Sequence, residues 1–213
     1  MKKIIALVAG IAMSMTAVFA EHTVGLGLNI PVNSLKVEDE SVSEHGFGFD
    51  LAYLFIHESN ITAKADVAFN IMNTDDIESD ANSGQFAFDL GAGYTFLNEE
   101  KYSLSALAMF GMTIGGYGKE FSDYEGTTGL KAESSLSMMT FDIGADVIGK
   151  YKFTDHLGAF VNLGLHYAIN MKTQYDFDVS YDGEKVDELS YSDDGFKTSG
   201  IRFLPTLGVS WTF

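Results

Sequence analysis

The chain has 213 residues, a length typical of one domain, and a formal net charge of −17 from 30 acidic and 13 basic residues. This acidic balance argues against nucleic acid and other polyanions as partners and favours basic ones. The sequence has no cysteine, which excludes a disulfide scaffold and a lipid-anchored cysteine. After residue 20 we find no apolar run long enough for a membrane-spanning helix.

The N-terminal segment has the organisation of a secretory signal peptide. Lys2 and Lys3 form a basic start, residues 4–19 are mostly apolar, and Val18-Phe19-Ala20 has the small-x-small pattern of a cleavage site. We therefore predict a signal peptide over residues 1–20 and a mature domain over residues 21–213. A retained membrane anchor is the alternative.

The rest of the sequence contains eight segments in which apolar residues alternate with small or polar ones, as in strands with one apolar face. The predicted strands are 22–31, 45–56, 61–72, 85–96, 102–115, 138–153, 157–171 and 200–213. Short turns at 57–60, 97–101 and 154–156 alternate with long polar loops at 32–44, 73–84, 116–136 and 172–199. This pattern predicts an all-β fold, an eight-stranded antiparallel up-and-down transmembrane β-barrel with its short turns periplasmic.

One face of the last predicted strand is apolar, and it has two aromatic residues at its C-terminal end. That face includes Phe203, Leu207, Val209, Trp211 and Phe213. Because proline cannot donate a ladder hydrogen bond, Pro205 leaves the register near it in doubt. Outward aromatic residues beside the short turns and the C-terminus are expected to form an interfacial girdle: Phe55, Tyr94, Phe96, Tyr102, Tyr151, Phe153, Trp211 and Phe213.

The alternative fold is a soluble antiparallel barrel or sandwich, whose apolar side would face a packed core. The other face of these strands argues against it, because glycine, alanine, serine and threonine dominate there instead of lysine and glutamate. The C-terminal pattern and the loop asymmetry resemble the small eight-stranded bacterial outer-membrane barrels of the OmpA/OmpX type, and more loosely OmpW. This resemblance implies the outer membrane of a diderm bacterium, periplasmic termini, extracellular long loops, lipid contact, insertion by the barrel-assembly machinery, and a monomer.

Charged residues of inward parity are expected to pair inside the narrow lumen, because isolated buried charges are costly. The predicted ion-pair network comprises Asp50, Lys64, Asp66, Asp89, Asp142, Asp146, Lys150, His166 and Arg202. We place Arg202 at its centre, since a planar guanidinium can bridge two carboxylates. The network predicts a plugged lumen. The alternative is a narrow OmpW-like channel for small or hydrophobic solutes, which the many inward glycines would leave room for.

Some eight-stranded outer-membrane barrels are enzymes that modify lipid A with a histidine, a serine and an acid. Of the histidines, His166 has inward parity and could meet Asp142 or Asp146, but no serine beside it is an evident nucleophile. We therefore predict no enzyme, no cofactor and no defined metal site. The acidic loops, which include Glu44, match no EF-hand spacing. Weak binding of Ca²⁺ or Mg²⁺ by their clustered carboxylates is the alternative.

The last long loop continues the alternation of the strand before it. Asp182-Gly183 is a plausible hairpin turn, and residues 186–191 could form the returning strand. We expect a ribbon that projects above the membrane. Four of its residues continue the outward face of the preceding strand, and the fifth lies on the returning strand: Tyr175, Phe177, Val179, Tyr181 and Tyr191. An exposed edge of this kind can capture another strand, so we predict a surface-interaction role such as adhesion or host contact.

Overall fold

The computed structural model describes residues 20–37, 40–74, 83–122, 130–181, 184–193 and 198–213. These ranges contain ten strands: β1 (Glu21–Asn29), β2 (Val32–Val37), β3 (Glu40–Ile56), β4 (Ile61–Thr74), β5 (Ser83–Asn98), β6 (Tyr102–Ser122), β7 (Leu130–Lys152), β8 (Leu157–Tyr181), β9 (Glu184–Asp193) and β10 (Thr198–Thr212). The predicted signal peptide lies outside the described residues except for Ala20. In the described ranges, no helix is long and apolar enough to cross a membrane.

The strands form a closed antiparallel barrel. Each strand from β3 to β8 pairs with the next, and β10 pairs with β8. The first strand closes the ring, because β1 pairs with β3 on one side and with β10 on the other. Strands β1 and β2 act as one interrupted barrel strand, and β9 lies outside the ring on β8. The prediction of an eight-stranded up-and-down barrel is therefore confirmed.

Both prolines of the chain lie at the interruption of the first barrel strand. β1 ends at Asn29 and β2 begins at Val32, so residues 30–31 separate them. The backbone N–H of Ile30 donates to the carbonyl of Pro205 at 2.9 Å, and that of Gly46 donates to the carbonyl of Pro31 at 3.0 Å. Strand β10 passes through Pro205 without a register shift against β8. The ladder is therefore interrupted in the first strand and continuous at Pro205.

Side chains alternate between the outer surface and the lumen along each barrel strand. In β1, Val24, Leu26 and Leu28 are exposed, whereas Thr23 and Asn29 are buried. Exposed aromatic side chains lie near the short-turn end: Tyr94, Phe96, Tyr102, Tyr151, Phe153, Trp211 and Phe213. Phe55, the remaining residue of the predicted girdle, is half-buried. The first short turn ends at Asn60, whose φ of 64° is left-handed, a conformation that asparagine tolerates better than most residues.

Three barrel strands, with β9 added to one of them, extend well beyond the barrel at the end opposite the short turns. The protruding sheet consists of residues 117–122 of β6, 130–138 of β7, 172–181 of β8, and β9. The prediction of long loops over 116–136 and 172–199 was therefore wrong for most of these residues, which form paired strands. The loop predicted over 32–44 likewise contains β2 and the start of β3. Residues 182–183, the predicted hairpin turn, lie outside the described part of the chain.

A β-bulge at Met171 changes which face the residues of the protruding sheet occupy. Asn170 is opposite Thr140 and Lys172 is opposite Met139, so Met171 is an extra residue in β8. Met171 is 53% exposed on the outer surface, whereas Thr173 is 7% exposed and continues the lumen side. Residues 175, 177, 179 and 181 follow this bulge in β8. That they lie on the outward face stays a prediction.

Candidate functional site

The middle of the lumen holds a cluster of charged side chains that we call the ionic tier, consisting of Lys64, Asp66, Asp89, Asp146 and His166. Lys64 pairs with both Asp66 and Asp146, and its Nζ lies 2.6 Å from Asp146 Oδ2. The Nε2 of His166 lies 3.0 Å from Asp146 Oδ1, and its Nδ1 lies 3.7 Å from Asp89 Oδ1. All five residues are buried. Strands β4, β5, β7 and β8 are thus linked across the lumen.

Arg202 lies nearer the long-loop end, in a second polar cluster that we call the guanidinium tier. Its Nη1 is 2.7 Å from Asp142 Oδ2, which also accepts a hydrogen bond from Thr113 at 2.9 Å. The remaining guanidinium nitrogens approach the side-chain oxygens of Asn33 and Gln85 at 3.4 and 3.5 Å. Among the described ion pairs, Arg202 thus contacts one carboxylate and does not bridge two. Asp146, which accepts from both Lys64 and His166, occupies the central position predicted for Arg202.

Two residues of the predicted network have different surroundings from those expected. Lys150 lies near the short-turn end, where it pairs with Glu21 and donates to Thr23 at 3.0 Å. Asp50 is buried in the lumen, but none of the described ion pairs includes it. Glu44, which was assigned to an acidic loop, is buried and accepts a hydrogen bond from Asn33 at 3.0 Å. The predicted charged residues thus divide into separate clusters along the lumen.

An apolar cluster fills the lumen at the short-turn side of the ionic tier, and we call it the apolar tier. It consists of Leu54, Ile56, Leu107, Met109 and Ile148, all buried. Sequence reasoning missed these residues because most inward positions are small or polar. The available signal was the weak alternation of the fifth predicted strand, where large apolar residues have inward parity next to the short turn.

Large neighbouring side chains occupy the space beside the inward glycines. A Cβ on Gly25 would lie 2.7 Å from the ring of Phe160, and a Cβ on Gly208 would lie 2.5 Å from it. Three cavities in the lumen each have a volume of about 20 Å³, room for about one water molecule. The glycines thus allow close packing of Phe160, and these three cavities are small and separate. A larger opening of about 590 Å³ is lined by Gly48, Asn70, Gln85 and Gly115 together with the outward Phe69.

The C-terminal residues lie on the outer surface of β10. Phe203, Leu207, Val209, Trp211 and Phe213 are all exposed there. The backbone N–H of the last of these donates to the carbonyl of His22 at 2.9 Å, which ties the chain end to the start of β1. Their role as an assembly signal stays a prediction.

The predicted ribbon residues lie in paired strands of the protruding sheet. Tyr175 is opposite Tyr191, and Phe177 and Val179 follow on β8. The backbone register pairs four acidic residues in succession across the four strands: Glu120, Glu133, Asp178 and Glu188. No three histidine, aspartate or glutamate side chains of the described chain form a cluster that could hold a metal ion.

A closed eight-stranded barrel with an apolar outer surface, aromatic residues at one rim and charged residues inside defines a transmembrane β-barrel of the outer-membrane class. The sequence matches the outer membrane protein beta-barrel domain family over residues 4–213, and the chain belongs to this family. It is therefore a protein of the outer membrane of a Gram-negative bacterium. The predicted resemblance to small outer-membrane barrels is confirmed.

Solved structures show the same fold at low sequence identity. Neisserial surface protein A matches with 11% identity and a TM-score of 0.51, covering 90% of this chain and 97% of that one. A major outer membrane protein from Thermus thermophilus matches with 16% identity and a TM-score of 0.60, covering 91% of this chain and 99% of that one. A comparison with characterised protein sequences gives no significant match.

Proposed function

We propose that this protein is a sealed membrane anchor that presents the protruding sheet as a contact surface outside the cell. The observation that carries the proposal is the continuation of β6, β7 and β8 beyond the barrel as paired strands, with β9 added to β8. In this proposal the short turns and both chain ends are periplasmic and the sheet is extracellular, as is typical of the class. Residues 1–20 act as the cleaved signal peptide, and the barrel-assembly machinery inserts the mature chain as a monomer.

The filling of the lumen supports the role of an anchor. The guanidinium, ionic and apolar tiers follow one another along the barrel, and the cavities between their side chains hold about one water molecule each. An eight-stranded barrel has an interior only just wide enough for side chains or one small ligand. We therefore favour the anchor over the alternative, a narrow channel for small or hydrophobic solutes.

The edge of the protruding sheet supports the role of a contact surface. Within the described residues, β9 pairs with β8 and with no other strand. A strand with one unpaired edge presents free backbone donors and acceptors, which can bind an extended segment of another protein. The proposed binding mode is therefore addition of a partner strand to β9.

The row of acidic residues indicates the charge of the partner. The backbone register pairs Glu120 with Glu133, Glu133 with Asp178, and Asp178 with Glu188. A basic partner would be attracted over a distance by the net charge of −17. We therefore propose a basic extracellular protein segment, and not nucleic acid, as the partner.

We also propose that the protein is not an enzyme. The described side-chain contacts of His166 are with Asp146 and Asp89, and both belong to the ionic tier inside the barrel. A catalytic histidine needs a nucleophile and a substrate within reach. His166 instead has contacts that suit a structural role in the lumen.

Binding of a synthetic peptide tests the contact surface directly. The refolded barrel in lipid nanodiscs is titrated with an extended peptide of alternating lysine and valine, and with a matched peptide of alternating glutamate and valine. We expect salt-sensitive binding of the lysine peptide only. Deleting residues 176–192 should abolish this binding while the barrel keeps its heat-resistant compact form on gels. Normal binding by the folded deletion variant would show that the sheet is not the contact surface.

Two single proline variants separate strand addition from loss of the sheet. Consecutive N–H groups of a strand point to opposite edges, so in the pair Leu189→Pro and Ser190→Pro one substitution removes a hydrogen bond to β8 and the other removes a donor from the open edge. Hydrogen exchange of the β8–β9 ladder identifies which variant keeps the hairpin. We expect that variant to lose peptide binding although its hairpin is intact.

A further inference from the structure

The opening of about 590 Å³ is a recess in the outer surface of the barrel, and we call it the outer recess. Large apolar side chains that are exposed on the outer surface form its walls: Phe47, Phe49, Phe69, Ile71, Phe86 and Ile114. Gly84, Gly116 and Ser137 line it as well. The lumen-side residues of the lining alternate with outward ones along the same strands. The recess therefore follows the outer surface from β3 to the start of β7.

The recess exists because three neighbouring strands have small residues in one outward row. The register pairs Ile71 with Gly84, Gly84 with Gly116, and Gly116 with Ser137. A Cβ on Gly84 would meet no atom within 4 Å, so the space above this glycine is open. The next outward row toward the short turns has large side chains: Phe69, Phe86 and Ile114. The small residues thus leave a depression beside a wall of large ones.

The outer recess lies at the edge of the apolar surface, far from the short turns. A transmembrane strand needs about ten residues. Strand β4 begins at Ile61, beside a short turn, so Ile71 lies near the opposite boundary of the hydrocarbon layer. Just beyond it, His45 and Asn73 are polar, exposed and opposite each other. The recess is therefore located where acyl chains meet headgroups.

An exposed lysine lies beside the recess, at the base of the protruding sheet. Lys172 of β8 is exposed and opposite Met139, and Ser137 lies two residues from Met139 on β7. Diagonal neighbours of this kind are about 7–8 Å apart, which is within reach of a long side chain. Further along β8, Gln174 donates to Asp176 at 3.1 Å. A lysine ammonium binds phosphate as a point charge, so Lys172 suits a phosphate at this boundary.

We propose that the outer recess binds one acyl chain of a phosphate-bearing lipid of the outer leaflet, and that Lys172 binds the phosphate. The walls are continuous with the lipid-facing surface, so a lipid chain is the occupant that reaches the recess. The chain gains contacts with the walls that an empty recess would lack. The acidic chain repels anionic headgroups elsewhere, so the lysine fixes the headgroup position. Lipid A, which has both phosphates and acyl chains, belongs to this class of ligand.

Native mass spectrometry of the refolded mature barrel tests the proposal. The protein in detergent micelles is mixed with lipid A or with dephosphorylated lipid A at equal concentrations. We expect one lipid A per barrel and about fivefold weaker binding of the dephosphorylated lipid. The choice of leaflet rests on the orientation in the proposed function. Binding in micelles does not depend on that orientation, and the lysine peptide tests the contact surface separately.

Four variants separate the two parts of the site. Gly84→Leu fills the recess and should lose lipid A, while Ala92→Leu, at an exposed position of the same strand, is the matched control and should bind normally. Lys172→Gln should bind the two lipids equally, whereas Lys36→Gln, which removes another exposed lysine, should keep the preference for phosphate. Phe86→Ala removes a wall and should weaken binding, which provides a second variant should Gly84→Leu fail to fold.

Four results would overturn the proposal. Normal binding by folded Gly84→Leu would place the lipid elsewhere. An equal loss in Ala92→Leu would mean that the lipid contacts the outer surface without a defined site. A preference for phosphate in Lys172→Gln would exclude the lysine as the headgroup contact. Barrel dimers that form without lipid and are lost in Gly84→Leu would assign the recess to a second copy of this chain.

Discussion

The ionic tier and the apolar tier close the same lumen with different chemistry. In the apolar tier, Leu107 and Met109 fill space, and each apolar contact is favourable whichever neighbour provides it. In the ionic tier, Lys64 and Asp146 are each tolerable only because the other is present. The two tiers are therefore expected to respond differently to mutation. Loss of a side chain from the apolar tier leaves a cavity, whereas loss of one partner from the ionic tier leaves an unpaired buried charge.

The largest expected effect comes from removing one partner of a buried ion pair. Arg202→Ala leaves Asp142 buried without its cation, and we expect a loss of about 4 kcal/mol in the free energy of unfolding. Urea unfolding of the protein refolded into lipid vesicles measures this loss. Lys36→Ala, an exposed residue of β2, is the control and should change little.

The double variant Arg202→Ala/Asp142→Ala distinguishes a buried unpaired charge from lost packing. Because both charges are removed, it should be more stable than Arg202→Ala alone. Equal or lower stability of the double variant would mean that the guanidinium acts by packing and not by compensating the carboxylate.

A smaller loss is expected in the apolar tier. Leu107→Ala removes a side chain that is 3% exposed and leaves a cavity, which should cost about 3 kcal/mol. The same urea experiment measures it, with Leu97→Ala, an exposed residue near a short turn, as the control. Since no charge changes, the loss should be independent of salt concentration. A marked salt dependence would contradict the assignment of Leu107 to an apolar seal.

The smallest effect should come from adding a methyl group where Phe160 fills the lumen. The added Cβ in Gly25→Ala would lie 2.7 Å from the Phe160 ring, and overpacking of this kind costs about 2 kcal/mol. Phe160→Leu in the same chain should recover part of the loss. Gly84→Ala is the control, because a Cβ at this glycine meets no atom within 4 Å. Equal losses in the two alanine variants would show that the ring is not the cause.

Most of the barrel could be predicted from the sequence because a single rule, apolar residues facing lipid, acts on every spanning strand. The strand over 85–96 lies within the observed β5, and the first short turn includes Asn60 in a left-handed conformation. Inward parity also identified Lys64, Asp146 and His166, which the structure brings together. Parity assigns a face but not a partner, so the central position of Asp146 could not be predicted.

The protruding sheet could not be predicted as well, because outside the membrane neither face has to be apolar. The alternation runs smoothly through Met171 to Tyr175 and Phe177, so nothing in the pattern marks the bulge that exchanges the two faces. The apolar tier was missed for a related reason. A large inward residue such as Met109 looks like an irregularity until Gly91 is seen to give its side chain room.

Single-channel recording in planar bilayers tests the sealed lumen most directly. We predict that the refolded wild type is silent and that Arg202→Ala is also silent, because the ionic and apolar tiers still close the barrel. Arg202→Ala combined with Lys64→Ala, Leu107→Ala and Met109→Ala should weaken all three tiers and conduct. Steady conductance of the wild type would contradict a sealed lumen and would make a narrow channel the better description of this protein.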